Sequence, residues 1–440
     1  MQYNNEVENF NNEEMNAQMD FEPTQEKESV FKRHGFFFGV ITSIICFAIA
    51  CFGIRMSLIN SGQLYVIGGN GVSSIEGSAL LSDEVAEKID EIYSYMNIYY
   101  YGEFDKQDIY NSLYSGVLES LEDPYSVYYT AEEYQDMKVS TSGTYYGIGA
   151  GVSQNLTTME VTITKVYRGT PSEEAGLKNG DMILSVEDIQ ATSVEVSELV
   201  QHIRGEAGTT VHMVIYRPST GETLEFDVER RHVELPSIEG ELLEDGIGYI
   251  QITEFQEKTD EQFAEMVGQL TKQGAKGLII DVRANPGGLL RSVVNLLDQV
   301  LPEGLLVYVQ DKYGNREDYT SNPLCLDLPI VVLMDESSAS ASEIFAGAMK
   351  DYGYATLVGK TTYGKGIVQN IIPLSDGDAM KITTAKYFTP NGNDIHKIGV
   401  TPDVEVDYEY SGPEDEVYDK QYDSQFIKAL EIMKEKLANE

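Results

Sequence analysis

The sequence predicts a multidomain α/β protein: a main α/β core, a β-rich module inserted ahead of it, an N-terminal helical segment and a single transmembrane helix. Three observations carry this. From 246 to about 405, short apolar strands alternate with amphipathic helical stretches, the pattern of a layered α/β core. From about 140 to 232, short β-branched runs are separated by Gly-containing turns. Phe36–Ile54 is a run of nineteen residues without a charge. At about 1.5 Å per residue such a run spans a hydrocarbon core of about 30 Å.

In chain order, residues 1–34 form an acidic tail rich in Asn, Glu and Gln, a composition that favours disorder. Lys32, Arg33 and His34 precede the apolar span at 36–54 and Arg55 follows it. The heavier positive charge on the N-terminal side predicts a cytoplasmic N-terminus and an exported remainder. A cleaved signal peptide would have a shorter apolar region and a small-x-small site after it, which is absent, so the span reads as an uncleaved anchor. Residues 55–80 read as a linker. In the helical region 81–139, Val85, Ile89, Ile92 and Met96 recur on one face behind Ser82 and Asp83. Asp105 is placed to cap a second helix carrying Ile109, Leu113, Val117 and Leu121, closed by Asp123-Pro124. The β-rich module takes 140–232, and Pro236 marks the start of the core, 236–410. Residues 411–440 are an acidic linker and an amphipathic helix bearing Phe426, Leu430, Met433 and Leu437. The two helical regions can build a homodimer or pack on their own chain.

Charge narrows the function. The 440 residues hold 31 Lys plus Arg against 72 Asp plus Glu, a net −41, which repels polyphosphate and excludes nucleic-acid binding. Three Cys give no disulfide framework, and five scattered His with those Cys match no standard zinc spacing. No cofactor is expected. Leu357–Thr362 resembles the end of a P-loop, but Tyr354 stands where its first Gly belongs. Gly147, Gly149 and Gly151 miss the dinucleotide spacing, and neither a His-Glu-x-x-His nor a Gly-x-Ser-x-Gly motif occurs. An exported, Cys-poor, acidic chain with one anchor fits a bacterial cell surface.

The chemistry concentrates in three stretches. A strand at Ile330–Met334 runs into a serine-rich turn, 335–343, and then a helix. A serine there can present its Oγ beside unsatisfied N–H groups at a positive helix end, although serines near a helix start also serve as caps. Gly364-Lys365-Gly366 follows, with Gln369 four residues beyond the lysine and able to hold its amine. A buried lysine can serve as the base that a nucleophilic serine needs. His396, with Asp394 as a possible orienter, is the weaker rival. Asp281–Gly288, ending in Asn-Pro-Gly-Gly after a strand, can offer a backbone N–H to an oxyanion.

Taken together, Asp281–Gly288, Ser338–Glu343, Tyr363–Gly366 with Gln369, and Thr389-Pro390-Asn391-Gly392 resemble the carboxyl-terminal processing proteases. The resemblance covers roughly residues 80–410. It implies a serine endopeptidase on a crotonase/Clp-protease-like core, with Ser340 as nucleophile, Lys365 as base and Gln369 supporting it. The N–H of Ala341 and of Gly287 or Gly288 would form the oxyanion hole. Pro171–Leu184 is similar to bacterial PDZ domains, so that Tyr146, Gly147, Ile148 and Gly149 match a carboxylate-binding loop and Arg204 a position that senses a bound tail. Consecutive N–H groups in such a loop cradle a C-terminal carboxylate. The expected partners are therefore proteins or peptides with exposed C-termini. The departures are Asp335-Glu336-Ser337-Ser338 in place of Gly-Ser before the nucleophile motif, and Ala284 where Gly or Asn is common. A catalytically silent tail-binding protein is the alternative, disfavoured by the intact Ser340, Lys365 and Gln369.

Overall fold

The computed structural model describes residues 80–413 and 418–439, together with a two-stranded pairing of β1 (Ile67–Gly68) and β2 (Gly71–Val72). The expected membrane span, 36–54, lies outside the described residues, and among these no helix is long and apolar enough to cross a membrane. Helix α1 (Asp83–Tyr99) belongs to a unit ending at Tyr99; the residues from Tyr100 onward form a second unit. The Ser82 hydroxyl accepts the Val85 N–H at 3.4 Å at the start of α1.

In the second unit, Asp105 caps α2 (Lys106–Glu119) by accepting the Gln107 N–H at 2.6 Å. The chain then turns on Asp123, whose carboxylate accepts the Tyr125 N–H at 3.1 Å and the Ser126 hydroxyl at 2.6 Å. Strand β3 (Val127–Tyr129) follows, then α3 (Ala131–Ser142), which opens on a Thr130/Glu133 capping box and stops at left-handed Gly143.

The β-rich module begins with β4 (Thr144–Gly147), β5 (Ala150–Gln154) and β6 (Val161–Val166). It continues through α4 (Pro171–Ala175), β7 (Met182–Val186), β8 (Ile189–Gln190), α5 (Val196–Ile203), β9 (Thr210–Arg217), β10 (Glu222–Glu229) and β11 (Arg231–Glu234). The main sheet runs β10-β9-β7-β6-β5, so β5 is an edge strand. Alternate residues of β9 (Val211, Met213, Ile215) pack inward against Val161, Ile163 and Leu199, the period-2 pattern that made the strand legible. β4 and β11 pair with each other where the chain enters and leaves the module.

The core follows as β12 (Ile238–Leu242), β13 (Ile247–Ile252), α6 (Thr259–Gln273), β14 (Gly277–Asp281), α7 (Leu290–Val300), β15 (Gly304–Asp311), β16 (Arg316–Ser321) and β17 (Ile330–Met334). Then come α8 (Ala341–Asp351), β18 (Ala355–Gly359), β19 (Ile367–Pro373), β20 (Ala379–Phe388), β21 (Val404–Glu405) and α9 (Ser424–Ala438). One sheet has the order β12-β13-β14-β17-β18-β21, parallel except for β12. Every residue of β14 and β17 is buried, as continuous apolar runs in a sheet covered on both faces require. Phe263 of α6, Val293 of α7 and Phe345 of α8 pack on one face. Phe426, Ala429 and Met433 of α9 pack on the other, against Ile279, Val331 and Val358. A second sheet, β16-β15-β20-β19, takes β3 on β20. The β19–β20 hairpin was not read from sequence, because Lys381, Thr383 and Lys386 interrupt its apolar pattern.

Candidate active site

The three chemistry-bearing stretches leave the carboxyl ends of three adjacent parallel strands: 281–288 after β14, 335–340 after β17, and 360–366 after β18. Sheets of this type collect their functional loops at that edge. Ser340 ends its turn with φ 55° and ψ −113°, a conformation that costs a non-glycine residue on the order of 1–3 kcal/mol. It directly precedes α8. An arrangement of this kind holds a side chain outward at a fixed angle.

What holds Ser340 beside the lysine loop is Glu343, fully buried one turn into α8. Its Oε2 accepts the N–H of Ser340 at 2.9 Å and the N–H of Lys365 at 2.7 Å. Those two nitrogens share one oxygen, so they lie no farther apart than the sum of the two distances. Oε1 accepts the Gly364 N–H at 2.7 Å and the Thr362 hydroxyl at 2.6 Å. From the opposite side the buried Tyr387 hydroxyl donates to the Ser340 carbonyl at 2.9 Å and to the Lys365 carbonyl. The serine turn and the lysine loop are thus clamped through both their N–H and their C=O groups. Burial pushes the Tyr387 hydroxyl well above its usual range, so it remains a donor.

The Lys365 side chain is half-buried, and among the described residues its amine has no hydrogen-bond or ion-pair partner. It lies over the Tyr125 ring, 4.6 Å from the centroid. Burial pulls its pKa below the ordinary lysine value, and Lys381 pulls the same way; Asp123 and Glu343 oppose them. Gln369 does not hold the amine. A bulge between Val368 and Gln369 turns its carboxamide so that Nε2 lies 3.4 Å from both the Ile367 carbonyl and the Thr383 hydroxyl. The rival arrangement is not formed either. Asp394 accepts the backbone N–H of His396 at 2.9 Å and binds Lys386 at 2.8 Å, and among the described residues the buried His396 Nδ1 has no partner.

The two glycines separate clearly. The Gly287 N–H donates to the Asn285 side chain at 2.9 Å and is therefore occupied. Among the described residues neither the Gly288 N–H nor the Ala341 N–H has an acceptor. Both positions require glycine. A Cβ on Gly287 would lie 2.7 Å from Ser340 Cβ, and one on Gly288 would lie 2.2 Å from the Phe255 carbonyl oxygen. The departures also acquire reasons. Ala284 takes φ 54°, which explains why Gly or Asn suits it better. Asp335 accepts the N–H groups of Ala284, Ser337 and Ser338 at 3.0 Å, tying the glycine turn to the serine turn.

The C-terminal helix reaches the site as well. Arg283 binds Asp281 at 2.7 Å and Asp423, the cap of α9, at 2.7 Å. Both carboxylates are buried, and Gln425 is a third partner, accepting from Arg283 at 3.0 Å. The strand end that carries Asn285-Pro286-Gly287-Gly288 is thereby fixed to a helix lying beyond the residues that carried the resemblance.

In the β-rich module, Ile148 is a core side chain, so only its backbone can meet a ligand. Tyr146 is exposed and stacks edge-on against His232 at 5.4 Å. Gly149 has φ 81°, and a Cβ there would strike Thr170. The Tyr145 ring folds over Gly147. Arg204 lies 5.7 Å from that ring and pairs with Asp136 of α3 at 2.7 Å. The expected tail sensor is therefore engaged with the helix that precedes the module.

Comparison with known proteins shows the family. The profile of peptidase family S41 matches residues 246–406, and a PDZ domain profile matches residues 162–217. The carboxy-terminal processing protease CtpB of Bacillus subtilis (strain 168) is 35% identical, over 75% of this chain and 70% of its own length. A carboxyl-terminal-processing protease of Synechocystis sp. is 35% identical, over 69% of this chain and 72% of its own. The solved photosystem II D1 C-terminal processing protease aligns over 72% of this chain and 86% of its own, at 28% identity and a TM-score of 0.43. The chain belongs to the S41 carboxy-terminal processing proteases, serine-type peptidases that here carry a PDZ domain.

Proposed function

We propose that this protease cleaves protein substrates with a Ser340/Lys365 dyad and selects them by their C-termini. The observation that carries the dyad is the Glu343 carboxylate oxygen shared by the Ser340 and Lys365 N–H groups. Neutral Lys365 takes the Ser340 hydroxyl proton as Oγ attacks the scissile carbonyl. The oxyanion that forms is met by the Ala341 and Gly288 N–H groups, the two left without an acceptor. As the intermediate collapses, the C–N bond breaks and the ammonium returns its proton to the leaving amine. Water, deprotonated by the same amine, then hydrolyses the acyl-enzyme. Ser340 Oγ and Lys365 Nζ are not hydrogen-bonded to each other in this conformation, and contacts of this type tighten when substrate binds.

The edge strand β5 is open to strand addition by an extended peptide, and the Gly147–Gly149 turn lies at its start. That supports capture of a C-terminal tail by the PDZ domain. An anchor at 36–54 would hold the catalytic part outside the cytoplasm; the uncharged span and its flanking basic residues support this.

The lysine base fixes a pH dependence. Its active form is the neutral amine, and burial lowers its pKa, so kcat/KM for an unstructured protein rises with pH and levels off below the ordinary lysine range of about 10.4. A profile that is flat from pH 6 to 10, with chemistry limiting the rate, contradicts the assignment.

A further inference from the structure

We propose that Tyr125 is a positioning residue for Lys365: its ring walls the amine off from water, so that the segment before the PDZ domain completes the protease site. This rests on the lysine-base reading above. Tyr125 lies outside the residues matched by either family profile, 162–217 and 246–406. Its ring centroid is nevertheless 4.6 Å from Lys365 Nζ, and its hydroxyl is 3.5 Å from that of Tyr363, two residues before the lysine.

The placement is built. Asp123 fixes the turn through the Tyr125 N–H and the Ser126 hydroxyl. The Ser126 Oγ in turn accepts the Thr383 N–H at 3.1 Å, and β3 pairs with β20 in the register Val127↔Lys381. Tyr125 is therefore delivered over the lysine by the strand next to it, from a point 240 positions earlier in the chain.

The ring has two opposed effects. Its face attracts an ammonium, and its bulk removes water. Attraction of this kind is weak at a half-exposed site, and burial is the largest cause of the lowered pKa of Lys365, so the shielding prevails. The charged groups facing the amine are Lys381 from β20, which opposes the ammonium, and Asp123 and Glu343, which favour it. None of these is removed when Tyr125 is replaced.

The test uses the full-length protein in detergent. Competitive acetylation with peptide mapping reads the midpoint of Lys365 directly, and kcat/KM for β-casein against pH reads it through activity. Tyr125→Ala is expected to raise both midpoints toward the ordinary lysine value, leaving less neutral amine at any given pH below them. Tyr125→Phe, which keeps the ring, is expected to overlay wild type. Equal midpoints for Tyr125→Ala and wild type overturn the proposal, as does a Tyr125→Phe shift as large as that of Tyr125→Ala. Failure of the lysine-base reading shows separately, as a flat activity profile in the wild type; the acetylation midpoint still decides the shielding.

Discussion

Lys365→Ala is expected to cut cleavage of β-casein by at least about 10⁴-fold, because members of a nucleophile–base unit fail almost completely when either is lost. Folding is expected to survive. The amine has no bonded partner to lose, so nothing is orphaned. Its lowered pKa also means that the charged form, which folded and unfolded chains both carry below the lowered value, is less favourable in the folded one. The lysine therefore costs stability at neutral pH, a cost relieved as pH rises through the lowered folded value toward the ordinary one. Thermal unfolding of Lys365→Ala near pH 7 should match or exceed wild type. Near-wild-type cleavage by this variant would assign the base elsewhere.

Glu343→Ala is expected to damage both stability and rate. The substitution leaves the Ser340, Gly364 and Lys365 N–H groups and the Thr362 hydroxyl without their acceptor in a buried site. Each such group costs about 1–3 kcal/mol, and water entering the space recovers part of that, so a net loss of about 3–5 kcal/mol is expected. Because the same carboxylate fixes the nucleophile against the lysine loop, the folded fraction should cleave at least about 10²-fold more slowly. Glu343→Gln keeps the volume but turns an amide NH₂ toward backbone donors, so it should rescue little. A wild-type rate per folded molecule in Glu343→Ala would show that the Tyr387 bonds alone keep the two loops in register.

How much of this was readable in the sequence follows the range of the interactions. Ser340 and Lys365 could be proposed from sequence because each lies in a short glycine- or serine-rich stretch next to a strand. The helices at 106–119 and 424–438 were equally clear, the first with Asp105 as its cap; the capping role of Asp423 emerged only in the structure. Glu343 was quoted within the serine motif yet given no task. A Ser followed three residues later by Glu is a capping-box signature and did point to a helix-start contact, though not to the lysine loop. Tyr387 and Tyr125 left no local signal, since they meet the site through strand pairing across 22 and 240 positions. That the Asn285 side chain occupies the Gly287 N–H is a contact that adjacency in sequence does not reveal. Gln369 sits beside a bulge, which a strand pattern does not show, and its Nε2 lies nearest the Ile367 carbonyl and the Thr383 hydroxyl. Arg283 was read as part of a turn, but its partner Asp423 lies 140 positions away.

The most direct measurement is cleavage of β-casein by the full-length protein in detergent at pH 9, with Ser340→Ala beside wild type and both variants checked by thermal unfolding. Fragments from wild type and none above background from a folded Ser340→Ala are the expected result. Cleavage by folded Ser340→Ala at the wild-type rate would contradict the central claim, that Ser340 is the nucleophile of this protease.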